Sequence, residues 1–396
     1  MDLFDKCAAG IPLLDLCRNM GVYPYFHQLE SRQDVEVIME GKRRIMLGSN
    51  NYLGLTTNPR VIQAGVDALN RLGTGCSGSR FLNGTLELHV ELENELAKFL
   101  GKEEVMTFST GFQANLGIIS ALVGRSDYVI CDKENHASIY DGCKLSYGKM
   151  LRYRHNDMED LEAQLARVPD TAGKLIVTDG VFSMGGDICN LPAIVDLAQK
   201  YGARVMVDDA HGLGVIGNGG RGTADYFGLT DKVDVIMGTF SKSLASLGGY
   251  MAADYKVVDY VRHSSRPFMF CASIPPASAA TALEALRVLE ENLGLPQRLM
   301  DLSMYMRRGL NERHVAIRDS ITPIIPIYTY EPDKTFIKAK ELYDEGVYVN
   351  PVLPPATPAD ECLLRTSYMA THTEALLDEA LDIIERVIGH TAENNA

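Results

Sequence analysis

The chain has 396 residues, 46% of them hydrophobic and 23% charged, with a formal net charge of −14. That balance describes a soluble globular protein with room for a large core and a second, smaller domain. The negative charge, with no cluster of Lys and Arg, argues against a nucleic-acid surface, and no uncharged apolar stretch approaches the ~18 residues of a membrane-spanning helix.

Residues 1–45 read as an arm: a short amphipathic helix, the aromatic run Tyr23-Pro24-Tyr25-Phe26, then a strand over 35–39 turning at Glu40-Gly41. Too small to fold alone, it is expected to lie on the main domain or on a partner subunit. Its first residues lack the basic-then-apolar order of a signal peptide, so a cytoplasmic location is expected. The eight cysteines, at 7, 17, 76, 131, 143, 189, 271 and 362, form no C-x-x-C pair and read as reduced thiols.

Residues 45–55 form a strand that ends in the amides Asn50 and Asn51. Helices follow over 61–72 and 89–100, separated by the glycine-rich loop Gly73-Thr74-Gly75-Cys76-Ser77-Gly78-Ser79-Arg80. Such a loop serves a phosphate, a tight crossing or a subunit contact, and by itself selects none of them. Short apolar strands are expected over 104–108, 128–131, 175–178, 204–207, 233–237 and 250–253, most of them separated by helices. Continuous apolar strands alternating with helices imply a mainly parallel sheet covered on both faces. Beyond about residue 285 come a long helix (282–313), strands over 322–329, 347–352 and 363–368, helices over 334–343 and 373–388, and a rigid proline-rich loop over 351–358. The expected organisation is an arm over 1–45, a large α/β domain over 46–285 and a smaller α+β domain over 286–396.

In open α/β sheets ligands bind beyond the carboxyl ends of the strands, and five strands deliver chemistry there. The strand over 233–237 breaks at Gly238 into a hydroxyl-rich loop, Thr239-Phe240-Ser241-Lys242-Ser243. A lysine meant to attack an aldehyde needs a strand-end address and a pKa pulled towards neutrality, so Lys242 reads as the Schiff-base lysine of a pyridoxal-phosphate (PLP) enzyme. Asp208, at the end of another strand, would pair with a protonated pyridine nitrogen or cap a helix. His211 would meet the cofactor phenol oxygen or satisfy a turn. His136 would lie on the pyridine ring or serve the fold alone. Gly111 and Phe112 open a helix whose free N–H groups suit a phosphate, as do the hydroxyls of Thr239 and Ser241. Ser183 would reach the phenol oxygen or be a simple turn serine. Arg365, in an apolar strand, would take a substrate carboxylate bidentately or form an internal salt bridge.

The segments 50–55, 73–80, 108–112, 180–184, 208–211, 238–243 and 364–365 together resemble the α-oxoamine synthases, a fold-type I family of PLP-dependent transferases that condense an amino acid with an acyl-CoA. The resemblance implies a large domain with a mainly parallel mixed sheet flanked by helices, a smaller C-terminal α+β domain, an N-terminal arm, and a homodimer with its active site at the interface. It implies that Lys242 carries the cofactor and then acts as acid and base, that Asp208 binds the ring nitrogen and that His136 stacks on the ring. His211 and Ser183 would serve the phenol oxygen. Thr239, Gly111 and Phe112 would hold the phosphate, with Ser273 reaching it from the other subunit. Asn50 or Asn51 would help Arg365 hold the carboxylate. Asp179 and Asp209 stand where many members carry glutamate, and neither is expected to touch the central chemistry.

Within the family, segments 75–85 and 266–276 and the loop 350–358 look most like bacterial enzymes that join L-serine to a long-chain acyl-CoA. Transient inner-membrane contact would suit the lipid product. Sibling activities that use glycine or alanine are the nearest alternative. A lysine-free scaffold subunit is opposed by Lys242, and a nicotinamide site by the position of Gly73-Thr74-Gly75 after a helix rather than a first strand.

Overall fold

The computed structural model describes residues 2–354 and 356–389. Met1, Pro355 and residues 390–396, which fall within the expected arm, proline-rich loop and C-terminal segment, lie outside the described residues. The first strands, β1 (Glu36–Met39) and β2 (Lys42–Met46), form a hairpin. The strands that follow are β3 (Glu104–Phe108), β4 (Tyr128–Asp132), β5 (Lys149–Tyr153), β6 (Lys174–Asp179), β7 (Arg204–Asp208), β8 (Val235–Thr239) and β9 (Gly249–Ala253). These seven form one sheet in the order β3-β9-β8-β7-β6-β4-β5. Strand β9 runs antiparallel to both neighbours and the other six are parallel, so their carboxyl ends share one edge.

Alternation along the strands decides which side chain meets which layer. Ile130, Ile176, Val205, Val207 and Ile236 face a core closed by the helices Pro59–Leu72, Glu87–Leu100, Leu191–Tyr201 and Pro276–Glu291. Their strand neighbours Val129, Cys131, Val177, Met206 and Met237 face the opposite core, under Gly111–Leu122, Ala137–Leu145 and Tyr255–Ser264. Each fully buried aliphatic of this kind contributes about 1.5–3 kcal/mol, which fixes the register of the sheet and with it the height of every strand end.

The remaining strands, β10 (Ile324–Tyr330), β11 (Val347–Tyr348), β12 (Asn350–Val352) and β13 (Cys362–Ser367), build two small sheets, β1-β2-β11 and β10-β13-β12. The expected single strand over 347–352 is therefore two. Its first half pairs parallel with β2 and its second half antiparallel with β13, and the handover occurs at Val349. The expected long helix over 282–313 is also two, Pro276–Glu291 and Gly294–Glu312, because Asn292 leaves helical geometry at φ −129°. The edge strand β5 is absent from the sequence reading, since Lys149 and Arg152 interrupt its apolar pattern. The arm helix Pro12–Asn19 lies on the C-terminal part of this chain, with Cys17 packed among Phe336, Leu353 and Cys362. All eight cysteines are free. Among the described residues no helix is long and apolar enough to cross a membrane.

Candidate active site

Strand β8 runs two residues further than expected: Gly238 and Thr239 still pair with Tyr250 and Gly249, so the loop begins at Phe240. Glycine is required there, since a Cβ on Gly238 would stand 2.4 Å from the Tyr250 ring. The loop is then tied down by its own hydroxyls. Thr239 Oγ1 donates to Gly248 O at 2.8 Å, and Ser243 Oγ donates to Leu213 O at 2.6 Å. These anchors direct Lys242 into a cavity of about 310 Å³ at the carboxyl edge of the sheet. Thr239, Ser241, Gly111, Phe112, His136, Ser183, Asp208 and His211 line the same cavity. Burial pulls the Lys242 amine down to about 8, helped by Arg365 and opposed by Asp208 and Asp179.

The carboxylate of Asp208 accepts Asn115 Nδ2–H at 2.7 Å and the Ala210 amide at 3.0 Å. Asp179 also lines the cavity. Among the described residues its carboxylate takes only the His136 amide, at 3.2 Å. Full burial, with Asp208 nearby, holds Asp179 well above the usual carboxylate range. Asp209 does stand apart, its carboxylate taken by the Thr223 amide and hydroxyl.

His136 caps the helix Ala137–Leu145, its Nδ1 accepting the Ser138 amide at 3.3 Å. The ring stands at the exposed mouth of the cavity, 6.2 Å from the Phe112 ring and nearly perpendicular to it. Surrounding protein and the Lys242 amine still hold its pKa below the ordinary imidazole value, against the pull of Asp208.

Arg365, 4% exposed in β13, reaches three groups from other parts of the chain. Its Nε donates to Ser183 O at 2.5 Å, and its Nη2 donates to Asn50 Oδ1 at 2.9 Å and to Tyr52 Oη at 3.2 Å. Tyr52 Oη lies 2.7 Å from His211 Nδ1, so one buried phenol joins the arginine to the cavity histidine. Burial, with Lys242 and Arg365 nearby, keeps His211 well below the usual imidazole range. Among the described residues no acidic side chain bonds Arg365, and its hydrogen-bond partners there are neutral. Of the two candidate amides, Asn50 contacts the arginine, whereas Asn51 Nδ2 donates to Thr56 Oγ1 at 2.7 Å. Asn51 lines a second hollow on the far side of Lys242, with Asn50, Gln33 and Ser49.

The donor set suits a phosphorylated aldehyde cofactor. The helix Gly111–Leu122 makes its first internal bond from Ala114 N to Thr110 O, which leaves the Gly111 and Phe112 amides at its positive end. A Cβ on Gly111 would stand 2.8 Å from Thr239 Cβ and fill that cradle. Ser273 does not line this cavity in its own chain. Its hydroxyl donates to Gly78 O at 3.1 Å, and the glycine-rich loop packs there, with Arg80 closed onto Glu93 at 2.6 Å. Asn115 and Tyr52 are the residues that sequence reasoning missed, and each acts through contacts distant in sequence.

The profile of the aminotransferase class I and II family matches residues 42–384. A serine palmitoyltransferase of Sphingobacterium spiritivorum is 53% identical over 95% of this chain and 94% of its own. The serine palmitoyltransferase of S. paucimobilis, solved with a PLP–myriocin aldimine, superposes with a TM-score of 0.95 at 39% identity, covering 98% of each chain. An 8-amino-7-oxononanoate synthase of Thermoanaerobacter pseudethanolicus is 42% identical over 94% of this chain and 95% of its own. The chain therefore belongs to the class I and II aminotransferase family of PLP-dependent enzymes, in its α-oxoamine synthase branch.

Proposed function

We propose that the chain joins L-serine to palmitoyl-CoA or a similar long-chain acyl-CoA, giving 3-ketodihydrosphingosine, CoA and CO2, the first step of sphingolipid synthesis. The observation that carries this is the pairing of an unneutralised lysine with an anchored carboxylate across one cavity, in a chain 53% identical to a serine palmitoyltransferase. The 8-amino-7-oxononanoate synthase relative is more distant, at 42%.

Gly111, Phe112, Thr239 and Ser241 would hold the PLP phosphate, Asp208 the ring nitrogen, His136 the ring face, and His211 with Ser183 the phenol oxygen. When bound, PLP supplies an aldehyde for amines and a ring that withdraws electrons from the substrate α-carbon. Lys242, with an amine near 8, is neutral often enough at cellular pH to take the serine α-proton. The α-carbon then attacks the thioester carbonyl and the CoA thiolate leaves. Arg365, steadied by Asn50, grips the serine carboxylate until the bond to it breaks and CO2 departs. Lys242 returns a proton to the same carbon. Val181 and Met237 add apolar surface to the cavity lining.

We place the enzyme in the cytoplasm as a homodimer, with transient inner-membrane contact for its lipid product. In that assembly Ser273 of one subunit reaches the phosphate held by the other, which agrees with its position away from its own cavity. The test is spectral titration of the enzyme with L-serine, glycine and L-alanine, followed by product analysis with palmitoyl-CoA. Serine should perturb the cofactor spectrum and yield the long-chain ketone. Condensation of glycine with a short acyl-CoA, and none of serine, would overturn the assignment.

A further inference from the structure

Two residues that the reaction above does not use, Asn115 and Ser138, join two that it does, Asp208 and His136, in one hydrogen-bonded chain. Asn115, 0% exposed, donates through Nδ2 to Asp208 Oδ2 at 2.7 Å and to Ser138 Oγ at 2.8 Å. Ser138 Oγ lies 2.6 Å from His136 Nδ1. All four residues line the cavity.

The directions of these bonds follow from chemistry. Turning the Asn115 amide over would set its oxygen against the Asp208 carboxylate, so both N–H bonds are committed and Oδ1 keeps no partner among the described residues. Ser138 Oγ accepts one of those N–H bonds. His136 Nδ1 already accepts the Ser138 amide, a group that can only donate, so Nδ1 carries no proton. The Ser138 hydroxyl proton therefore points at Nδ1. The remaining ring nitrogen, Nε2, carries the proton of the neutral ring.

We propose that Asn115 and Ser138 are positioning residues that tie Asp208 to His136 and lock the His136 ring as the neutral Nε2–H tautomer. The assignment rests on the cofactor reading only in what the lock serves; the lock itself is built from this chain's own side chains. A locked ring can offer a donor to the cavity and cannot take a proton there without breaking the helix cap, so proton traffic is left to Lys242. Asn115 at the same time orients the Asp208 carboxylate and supplies one of its two N–H donors.

The test is long-range proton–nitrogen spectroscopy of the enzyme labelled with 15N-histidine, the His136 signal assigned through His136→Gln. The native enzyme should show the neutral Nε2–H pattern for His136 at pH 8. Ser138→Ala removes the 2.6 Å hydroxyl contact and leaves Nδ1 only the longer 3.3 Å amide contact, so the Nδ1–H tautomer should enter beside the Nε2–H one, and Ser138→Thr, which keeps the hydroxyl, should restore a single tautomer. Asn115→Ala should weaken PLP binding roughly tenfold, the scale of one hydrogen bond to a charged group, and lower kcat more than it raises the KM for serine. An Nδ1–H signal in the native enzyme would overturn the proposal. So would a folded Ser138→Ala enzyme with an unchanged His136 pattern. Should Asn115→Ala not fold, the serine variants decide alone. The spectrum reports on the lock even if serine proves to be the wrong substrate, so the two readings fail separately.

Discussion

Two buried polar regions, one at the glycine-rich loop and one at the cavity, differ in one respect. At the glycine-rich loop, the Glu93 carboxylate receives both Arg80 nitrogens at 2.6 and 2.9 Å, and the Thr107 amide and hydroxyl at 2.8 and 2.9 Å. Its charge is answered and its lone pairs are filled. At the cavity, the Lys242 amine has no hydrogen-bond partner among the described residues, and the carboxylates of Asp179 and Asp208 share three N–H donors between them. Saturated polar burial holds a fold together, whereas a deficit of partners leaves charge free for a ligand.

The largest effect should come from removing the unanswered amine. Lys242→Ala is expected to lower kcat by on the order of a thousandfold or more while the fold stays intact, since no pairing is lost. Turnover near the native rate would end the comparison. The same amine gives a pH signature. Reductive trapping of cofactor-free enzyme by an aldehyde should rise with pH as the amine loses its proton, with a midpoint near 8 rather than the ordinary 10.5.

Asp208→Asn comes next, with an expected loss of about a hundredfold or more, as for other removed transition-state charges. Measuring kcat with saturating PLP separates this from weak cofactor binding. At the saturated region the sign reverses. Glu93→Ala should cost about 3 kcal/mol of stability, by denaturant unfolding, because it strands the buried Arg80 charge. The folded fraction should keep kcat within a few-fold, and a stable but inactive variant would show that the loop carries chemistry in its own chain.

The smallest effect separates the two cavity acids. Asp179 is held above its ordinary 3.8 by burial first and by Asp208 second. The folded protein therefore keeps a proton that the unfolded chain releases, and stability falls as pH rises from about 4 through the raised value. Asp179→Asn removes that loss. It should raise the melting temperature at pH 8 by a few degrees, on the scale of about 1 kcal/mol, and change it little at pH 4. Activity should stay within a few-fold of native. Equal melting shifts at both pH values would mean that Asp179 is ionised in the fold.

Lys242, Asp208, His136, His211 and Ser183 were legible in the sequence because each follows a short apolar strand, and a parallel sheet brings all such ends to one edge. The helix-opening pair Gly111 and Phe112 was legible for the same reason. Asn115 and Tyr52 were not, because their partners lie 93 and 159 residues away. The choice of Asn50 over Asn51 was closed as well, since adjacent side chains on a turn diverge and only the packed arginine selects between them.

Chain order and apolar periodicity thus determined the layers, the sheet and the edge at which chemistry gathers, because burying alternate side chains of parallel strands leaves little other choice. The tertiary structure alone decided which polar groups are paired and which are left wanting. That follows from hydrogen bonds of about 3 Å reach, whose partners become neighbours only when distant strands and helices pack together.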